Sequence, residues 1–179
     1  MFKLIKDTLT QKSVTTHYPA KPFQVVPNFR GRPEYDSHQC ICCAACTNAC
    51  PANALTIHID APQEVITWKF DCGRCIFCAR CEEVCPTGAI KLSEDFEMST
   101  WTKEDLIEEA DFSICHCVQC GKPYAAQKEI EYVLDLLGLE GDEREVRREE
   151  FETCTDCKQQ NDLIPAHLVK IDAYIPMEA

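Results

Sequence analysis

Apolar residues recur at helical spacing at the start of the chain, where Phe2, Ile5 and Leu9 share one face beside Lys3 and Lys6. The pattern predicts a short amphipathic helix. Such a helix could lie on a membrane surface or on a partner subunit. A terminus that packs on its own domain is an equal alternative, because three apolar side chains bury little area.

The segment 18–39 contains four prolines, Pro19, Pro22, Pro27 and Pro33. Proline fixes φ and lacks an N–H donor, so we predict an extended arm here rather than a helix or a central strand. An arm of this kind is suited to wrapping around a neighbouring protein.

Two later segments, 55–59 and 65–70, are rich in residues suited to strands and flank a bend at 60–62. They predict a β-hairpin. Residues 139–152 are mostly acidic with interspersed arginines, which favours a solvated face or loop over an interaction site.

Two helices are predicted in the second half of the chain. Thr102 and Asp105 have the spacing of a helix start and predict a helix over 103–110. A longer helix follows Pro123, and Gly138 is placed to end it in the left-handed conformation. Its apolar face consists of Ala126, Ile130, Val133, Leu134 and Leu137.

Charge and composition narrow the functional classes. A formal net charge of −12 disfavours nucleic-acid binding and suits docking against less acidic redox partners. No stretch approaches the roughly 20 apolar residues that cross a bilayer, and the start lacks signal-peptide features. We therefore interpret the 15 cysteines as metal ligands in a reducing cytoplasm rather than as a disulfide framework.

One cysteine signature, C-x2-C-x2-C-x3-C-P, occurs twice with a displacement of 35 residues. The first copy is Cys40, Cys43, Cys46 and Cys50 followed by Pro51, and the second is Cys75, Cys78, Cys81 and Cys85 followed by Pro86. In this ligand run three thiolates hold one [4Fe-4S] cluster and the fourth reaches the other cluster. The predicted ligand sets are Cys40, Cys43, Cys46 and Cys85 for cluster 1, and Cys75, Cys78, Cys81 and Cys50 for cluster 2.

Cys42 and Cys72 fit neither run, and we predict that both are non-ligand thiols packed near the clusters. Four other cysteines form two C-x2-C pairs, which predict a closed four-thiolate site of the zinc-ribbon type. They are Cys117, Cys120, Cys154 and Cys157. Zinc is favoured, and a single iron is the alternative because spacing does not separate the two metals. Cys115 and His116 adjoin the site and are less favoured ligands.

The isolated histidines His17, His38, His58 and His167 are assigned no function. The chain has no nucleophile elbow, phosphate loop or dinucleotide fingerprint, which indicates electron transfer rather than catalysis by this chain alone. We predict an α+β two-cluster bacterial ferredoxin fold over 40–95. An N-terminal segment and arm (1–39) would precede it, and a zinc-ribbon-like helical extension (96–179) would follow.

Residues 29–32, of sequence Phe-Arg-Gly-Arg, stand before the double motif and resemble the entry segment of the ferredoxin-like subunit of respiratory complex I. The paired C-terminal knuckles, Cys-Glu-Glu-Val-Cys-Pro at 81–86, Gln127-Lys128 and Phe-Glu-Thr-Cys at 151–154 resemble a narrower family. That family comprises the small iron–sulfur subunits of formate hydrogenlyase and hydrogenase-4. The last twenty residues match it least.

The resemblance implies a non-catalytic subunit on the cytoplasmic face of the inner membrane, peripheral to a membrane-bound complex. Its expected partners are the small subunit of a [NiFe]-hydrogenase and the ferredoxin-like subunit of a formate dehydrogenase module. The alternatives are a free ferredoxin or a ferredoxin-like subunit of another oxidoreductase related to complex I. A DNA-binding metal sensor is disfavoured, because the paired knuckles have no basic patch around them.

Overall fold

The computed structural model describes residues 2–10 and 15–163. His167 and the end of the predicted C-terminal extension lie outside the described residues. In chain order the elements are α1 Phe2–Thr10, β1 Pro33–Tyr35, α2 Ala45–Ala49, β2 Leu55–Asp60, β3 Val65–Asp71, α3 Arg80–Val84, β4 Ile90–Leu92, β5 Ile107–His116, β6 Pro123–Ala126, α4 Gln127–Leu136, α5 Gly141–Phe151 and α6 Thr155–Asp162. The predicted mixture of helices and strands is confirmed.

The two hairpins of the ferredoxin region are related by the same 35-residue shift as the cysteines. Strands β1 and β4 pair antiparallel with Pro33 opposite Leu92, and β2 and β3 pair with Trp68 opposite Ile57. Adding 35 to Pro33 gives Trp68, and subtracting 35 from Leu92 gives Ile57. The internal repeat therefore begins at β1, seven residues before the first cysteine.

The prediction of an extended arm over 18–39 missed strand β1. Pro33 occupies the first position of a two-stranded edge ladder, where a missing N–H is tolerated. The preceding residues also pack on the chain itself. The rings of Tyr18, Phe23 and Phe29 lie edge-on around Phe96, with centroids 5.4, 5.4 and 6.4 Å away.

The segment before β1 is fixed by a close backbone approach at Gly31. Its N–H donates to the Ser93 carbonyl at 2.8 Å, and the N–H of Arg32 donates to the Asp95 carbonyl at 2.7 Å. A Cβ on Gly31 would stand 2.2 Å from the Asp95 carbonyl oxygen, so no other residue fits without moving the backbone.

The predicted hairpin is confirmed as β2 and β3, whereas the predicted helix over 103–110 is wrong. A 3-10 turn at Glu104–Leu106 is followed by the ten-residue strand β5. The Thr102 N–H does contact the Asp105 carboxylate at 3.4 Å, as a helix start would require. However, β5 forms a ladder with β3 from Ile107 opposite Asp71 onward, and this long-range pairing outweighs the local signal.

The predicted helix after Pro123 is confirmed as α4, which buries Ile130 and Leu134. Gly138 lies beyond its end with φ +64°, in the predicted left-handed conformation. The acidic stretch after it forms helix α5 rather than a loop. Its Arg144 and Arg148 face Glu131 of α4, so the two helices are joined by ion pairs.

A four-stranded sheet in the order β2-β3-β5-β6 crosses the predicted boundary at residue 95. It joins the main core around Trp68 and Phe70 to a smaller core of Cys115, Ile130 and Leu134. The division of the chain at residues 39 and 95 stays a prediction. Helix α1 forms as predicted and buries none of its residues. Within 2–10 and 15–163, no helix combines the length and apolar character needed to cross a bilayer.

Candidate iron–sulfur and metal sites

The eight cysteines of the double motif line two separate cavities. Three cysteines of one run and the fourth of the other line each cavity: Cys40, Cys43, Cys46 and Cys85 line cavity 1, and Cys75, Cys78, Cys81 and Cys50 line cavity 2. The empty volumes are alike, at about 370 and 360 Å³. These are the groupings that the crossing pattern predicts, while ligation itself stays a prediction.

Left-handed backbone residues shape both ligand loops, and they too recur at a spacing of 35. Cys42, Ala44 and Asn53 have φ of 58°, 61° and 49° in the first half. Their counterparts in the second half are Phe77, Ala79 and Gly88, with φ of 53°, 67° and 67°. Ala44 and Ala79 immediately precede the short helices α2 and α3. The repeat therefore extends to the backbone conformation of individual residues.

The loops direct backbone N–H groups at the sulfurs. At cavity 1 the N–H groups of Cys42 and Ala89 donate to Sγ of Cys40 and Cys85, at 3.3 and 3.2 Å. At cavity 2 the N–H groups of Phe77 and Ala54 donate to Sγ of Cys75 and Cys50, at 3.4 and 3.3 Å. Donors of this kind stabilise the negative charge of cluster-bound thiolates, so the donor set fits an iron–sulfur cluster.

Burial makes four of these eight thiols hard to ionise without a metal. It raises the pKa of Cys43, Cys46 and Cys75, and that of Cys81 to about 11. At Cys85 burial also acts to raise the pKa, but hydrogen bonds from Thr87 and from backbone N–H groups outweigh it and leave the pKa lowered. Coordination to a metal deprotonates a thiol outright, so the metal offsets the unfavourable ionisation of these buried thiols once it is bound.

The cavities differ in the side chains that face them. At cavity 1, Nε1–H of Trp68 donates to Sγ of Cys46 at 3.5 Å. The Thr87 hydroxyl lies 3.6 Å from Sγ of Cys85. The Tyr35 hydroxyl is buried without a hydrogen-bond partner in the described part of the chain, although its ring lines cavity 1. A cluster sulfur there would satisfy this orphaned donor.

These three side chains were missed by the reasoning from sequence. The repeat contains the signal, since the residues 35 positions from Trp68, Tyr35 and Thr87 are Pro33, Phe70 and Ala52. Comparing the residues related by this shift would have revealed three pairs in which one member carries a side-chain donor and the other does not.

The two unassigned cysteines of the region are buried, Cys42 at 6% and Cys72 at 4% exposure. Cys42 lines cavity 1 at the position that Phe77 holds in the other half, and burial raises its pKa to about 12. Sγ of Cys72 lies 3.6 Å from Sδ of Met98, outside both cavities. That neither is a ligand stays a prediction.

The second group of cysteines comes from two segments that are far apart in sequence. The turn between β5 and β6 carries Cys117 and Cys120, and the start of α6 carries Cys154 and Cys157. The four sulfurs lie within 4.8 Å of one another, and Sγ of Cys120 and Cys154 are 3.7 Å apart. This spacing suits one tetrahedral metal ion with metal–sulfur distances of about 2.3 Å.

The local backbone prepares Cys117 for a metal. Its Sγ accepts the N–H of Cys154 at 3.3 Å, and backbone donors, with Cys154 first, lower its pKa to about 6. Gly121 allows the knuckle to turn with φ +71° and donates to the Cys117 carbonyl at 2.8 Å. Cys120 is exposed, whereas the other three cysteines are buried.

The neighbours Cys115 and His116 are not among these four. Cys115 packs in the small core, with its Sγ 3.9 Å from the Tyr124 hydroxyl, and that hydroxyl donates to the Phe151 carbonyl. His17, His38 and His58 are exposed.

The arrangement of the cysteines agrees with the known proteins to which this chain is similar. Residues 39–89 match the family described as a 4Fe-4S dicluster domain. The chain is 48% identical to formate hydrogenlyase subunit 6 of Escherichia coli over 98% of this chain and 98% of the relative. It is 33% identical to NADH-quinone oxidoreductase subunit I 2 of Geobacter metallireducens over 59% of this chain and 86% of the relative.

A similar chain occurs in the solved structure of the membrane-bound sulfane sulfur reductase, an archaeal respiratory membrane complex. Its sequence identity is 34% and its TM-score 0.42, covering 57% of this chain and 56% of that one. The near full-length match to the Escherichia coli protein shows that the chain belongs to the formate hydrogenlyase subunit 6 family of iron–sulfur electron-transfer subunits, which is related to NADH-quinone oxidoreductase subunit I.

Proposed function

We propose that the chain passes single electrons through two [4Fe-4S] clusters within a membrane-bound complex of the formate hydrogenlyase type. Cluster 1 is held by Cys40, Cys43, Cys46 and Cys85, and cluster 2 by Cys75, Cys78, Cys81 and Cys50. The main support for this proposal is the pair of cysteine-lined cavities, related by the 35-residue repeat, in a member of this family. The clusters supply the redox chemistry, and the chain supplies position, insulation and hydrogen bonds.

A shared strand supports electron transfer between the two clusters. Strand β3 lines cavity 1 with Trp68 and cavity 2 with Phe70. These neighbours on one face of a strand are about 7 Å apart. One rigid strand thus lies between the two clusters. Both side chains are 1% exposed, which excludes water from the space between the clusters.

We propose that electrons enter from the ferredoxin-like subunit of a formate dehydrogenase module and leave to the small subunit of a [NiFe]-hydrogenase. Membership in the family supports this assignment. Anaerobic affinity purification of the tagged chain from its host, followed by mass spectrometry, tests it. Recovery of both redox subunits is expected. Recovery of the chain alone, loaded with two clusters, would instead support a diffusible ferredoxin.

We propose a structural zinc ion at Cys117, Cys120, Cys154 and Cys157, with a single iron as the alternative. The closed set of four thiolates supports a metal that holds the β5–β6 turn to the start of α6. Elemental analysis of anaerobically purified protein distinguishes the two metals. One zinc per chain is expected. Nine irons per chain and no zinc would instead assign the site to a single iron.

We propose that α1 holds the subunit peripherally at the cytoplasmic face of the inner membrane. Its apolar side chains Phe2, Ile5 and Leu9 are 90%, 55% and 82% exposed, which leaves that face for a surface outside this chain. Deleting residues 2–10 is expected to move the protein from the membrane fraction to the soluble fraction with its iron content unchanged. Asp7→Asn on the polar face is the matched control. Unchanged membrane retention of the deletion variant would contradict the proposal.

A further inference from the structure

We propose that Tyr35, Trp68 and Thr87 give cluster 1 a higher reduction potential than cluster 2, so that a single electron resides on cluster 1. The inference builds on the proposed two-cluster function and adds an internal direction to it. In the step concerned, reduced cluster 2 loses one electron and oxidised cluster 1 gains it. No proton or further reactant is required.

The backbone contributes equally to both clusters. Each cavity receives two backbone N–H···S hydrogen bonds at repeat-related positions, with lengths of 3.3 and 3.2 Å at cavity 1 and 3.4 and 3.3 Å at cavity 2. A contribution shared by both clusters moves both potentials together. The difference between the clusters must therefore come from side chains and charges.

Among the repeat-related pairs, the side-chain donors that contact a motif sulfur lie at cavity 1, whereas the pair Ala45 and Arg80 places a charged donor in the lining of cavity 2. The Trp68 indole donates to Cys46, and the Thr87 hydroxyl lies 3.6 Å from Cys85, a thiolate that can act only as acceptor when it binds iron. The Tyr35 hydroxyl is the third donor, buried and without a partner. Proline, alanine and phenylalanine at the corresponding positions of cavity 2 offer no side-chain donor.

The donors are held in place by packing. Trp68 is 1% exposed, and its ring stacks on Tyr35 at 3.7 Å between centroids with planes 11° apart. In the sheet it lies between Ile57 of β2 and Ala110 of β5. The indole N–H therefore cannot turn away from Cys46 when the charge of the cluster changes.

Hydrogen bonds to sulfur favour the more negative, reduced state and so raise the reduction potential. A hydrogen bond to a charged acceptor corresponds to about tenfold or more in an equilibrium constant. Three donors at one cluster, without counterparts at the repeat-related positions of the other, therefore favour the reduced form of cluster 1 over that of cluster 2.

Three charged groups act in the opposite direction. Arg80 lines cavity 2, but it is exposed and its guanidinium pairs with Glu83 at 2.6 Å. Arg30 donates to the Cys78 carbonyl at 3.5 Å near cavity 2, but it is exposed and solvent screens its charge. Glu129 lies on the side of Cys42 and Cys43, and burial raises the pKa of its carboxyl. Within the described part of the chain, neither arginine donates to a motif sulfur, whereas the Trp68 indole donates to Cys46 and the Thr87 hydroxyl lies 3.6 Å from Cys85.

The test is EPR-monitored redox potentiometry of the anaerobically purified full chain carrying both clusters. Trp68→Phe removes the indole N–H and keeps an aromatic ring. We expect the higher of the two midpoint potentials to fall by at most about 59 mV, a tenfold shift for one electron, because the bond exists in both oxidation states and only its strengthening on reduction changes the potential. The lower potential should stay in place. Tyr35→Phe and Thr87→Val remove single hydroxyls and are expected to lower the same potential by smaller amounts.

Ile57→Val is the matched control, because it loosens packing against Trp68 without removing a donor. Unchanged midpoint potentials in all three donor variants would overturn the inference and leave the two-cluster function standing. So would a fall of the lower potential in place of the higher, or an equal shift in the control. Iron and sulfide analysis that finds a single cluster in the wild-type chain would overturn the proposed function and the inference together.

Discussion

The two cysteine-rich regions of this chain differ in what surrounds their sulfurs. The eight cysteines of the double motif line cavities inside the main core, between strands and helices of both halves of the repeat. The four cysteines of the second site join one hairpin turn to one helix start, beside a small core built on Ile130 and Leu134.

This difference predicts different structural consequences of metal loss. In the proposed assignment each cluster would link both halves of the repeat, since its fourth ligand comes from the other run. Losing a cluster would then disconnect the halves and expose the main core. A metal in the second region would link only the β5–β6 turn to α6, so its loss would affect that end of the chain while β3 still pairs with β5.

The largest effect is expected from Cys85→Ser, which removes the crossing ligand of cluster 1. About four of the eight irons per chain should be lost, because an incomplete ligand set no longer holds the cube. Iron and sulfide analysis together with EPR of the reduced protein measures the loss. The control is Cys72→Ser, whose sulfur lies beside Met98 and outside both cavities. Loss of a cluster in the control would show that Cys72 is a ligand.

Cys154→Ser tests the independence of the second site. The variant should lose the single metal ion and its hold on α6, because the sulfur lies 3.7 Å from that of Cys120 and accompanies Cys117 in the same group. Both [4Fe-4S] clusters should remain. Elemental analysis and EPR report the two outcomes separately. Loss of both clusters would mean that the two regions are coupled more strongly than the shared sheet alone requires.

Gly31→Ala tests the ferredoxin region without touching a cysteine. A Cβ would stand 2.2 Å from the Asp95 carbonyl oxygen, so the backbone contacts that fix the start of β1 must shift. Overpacking of this kind costs about 1–3 kcal/mol. Thermal and denaturant unfolding measure it. Gly73→Ala is the control, because the nearest atom there is a side-chain oxygen of Asp71 at 3.1 Å, which can move. Equal effects in the two variants would argue against a specific role for Gly31.

The smallest effect is expected from Glu131→Gln, which breaks the ion pairs that join α4 to α5 beside the second site. Glu131 pairs with Arg144 at 2.8 Å and also with Arg148. The pairs are partly exposed, so we expect a loss of only about 0.5–1 kcal/mol in the free energy of unfolding. Chemical denaturation followed by circular dichroism measures the change, and both clusters should be retained.

The pH dependence of that variant has a defined sign. Hydrogen bonding from Arg148 is the main cause that lowers the pKa of Glu131 below 4.5. A lowered pKa in the folded state contributes stability above the ordinary pKa of the group and loses it as the pH falls through the lowered value. The difference in the free energy of unfolding between wild type and variant should stay constant above about pH 4.5 and narrow below it. A difference that grows on acidification would contradict this account.

Much of the candidate site follows from sequence because cysteine spacing is a local, covalent property. Ligand loops with two intervening residues can place three sulfurs around one cluster, whatever the rest of the fold does. The grouping of Cys85 with the first run could be predicted as well, because in this ligand run the fourth cysteine reaches the other cluster. The α4 face and the left-handed Gly138 could also be predicted, since helical periodicity and capping act within a few residues.

Other features depended on partners far away in sequence. Thr102 and Asp105 predicted a helix, but pairing of β5 with β3 made the segment a strand. The prolines predicted an extended arm suited to wrapping around a neighbouring protein, but Phe96 and the carbonyls of Ser93 and Asp95 bind that segment to the chain itself. Long-range hydrogen bonds and ring contacts offset local preferences of about 1 kcal/mol or less, and local sequence patterns do not reveal these contacts.

The sequence by itself determined which cysteines belong together, because ligand spacing and the 35-residue repeat are written along the chain. Only the tertiary structure decided which side chains face each cavity. Sheet pairing brings Trp68 to within 3.5 Å of Cys46 although 22 residues separate them. The donors that distinguish the two cavities act through space, at hydrogen-bond range, and that proximity exists only in the folded chain.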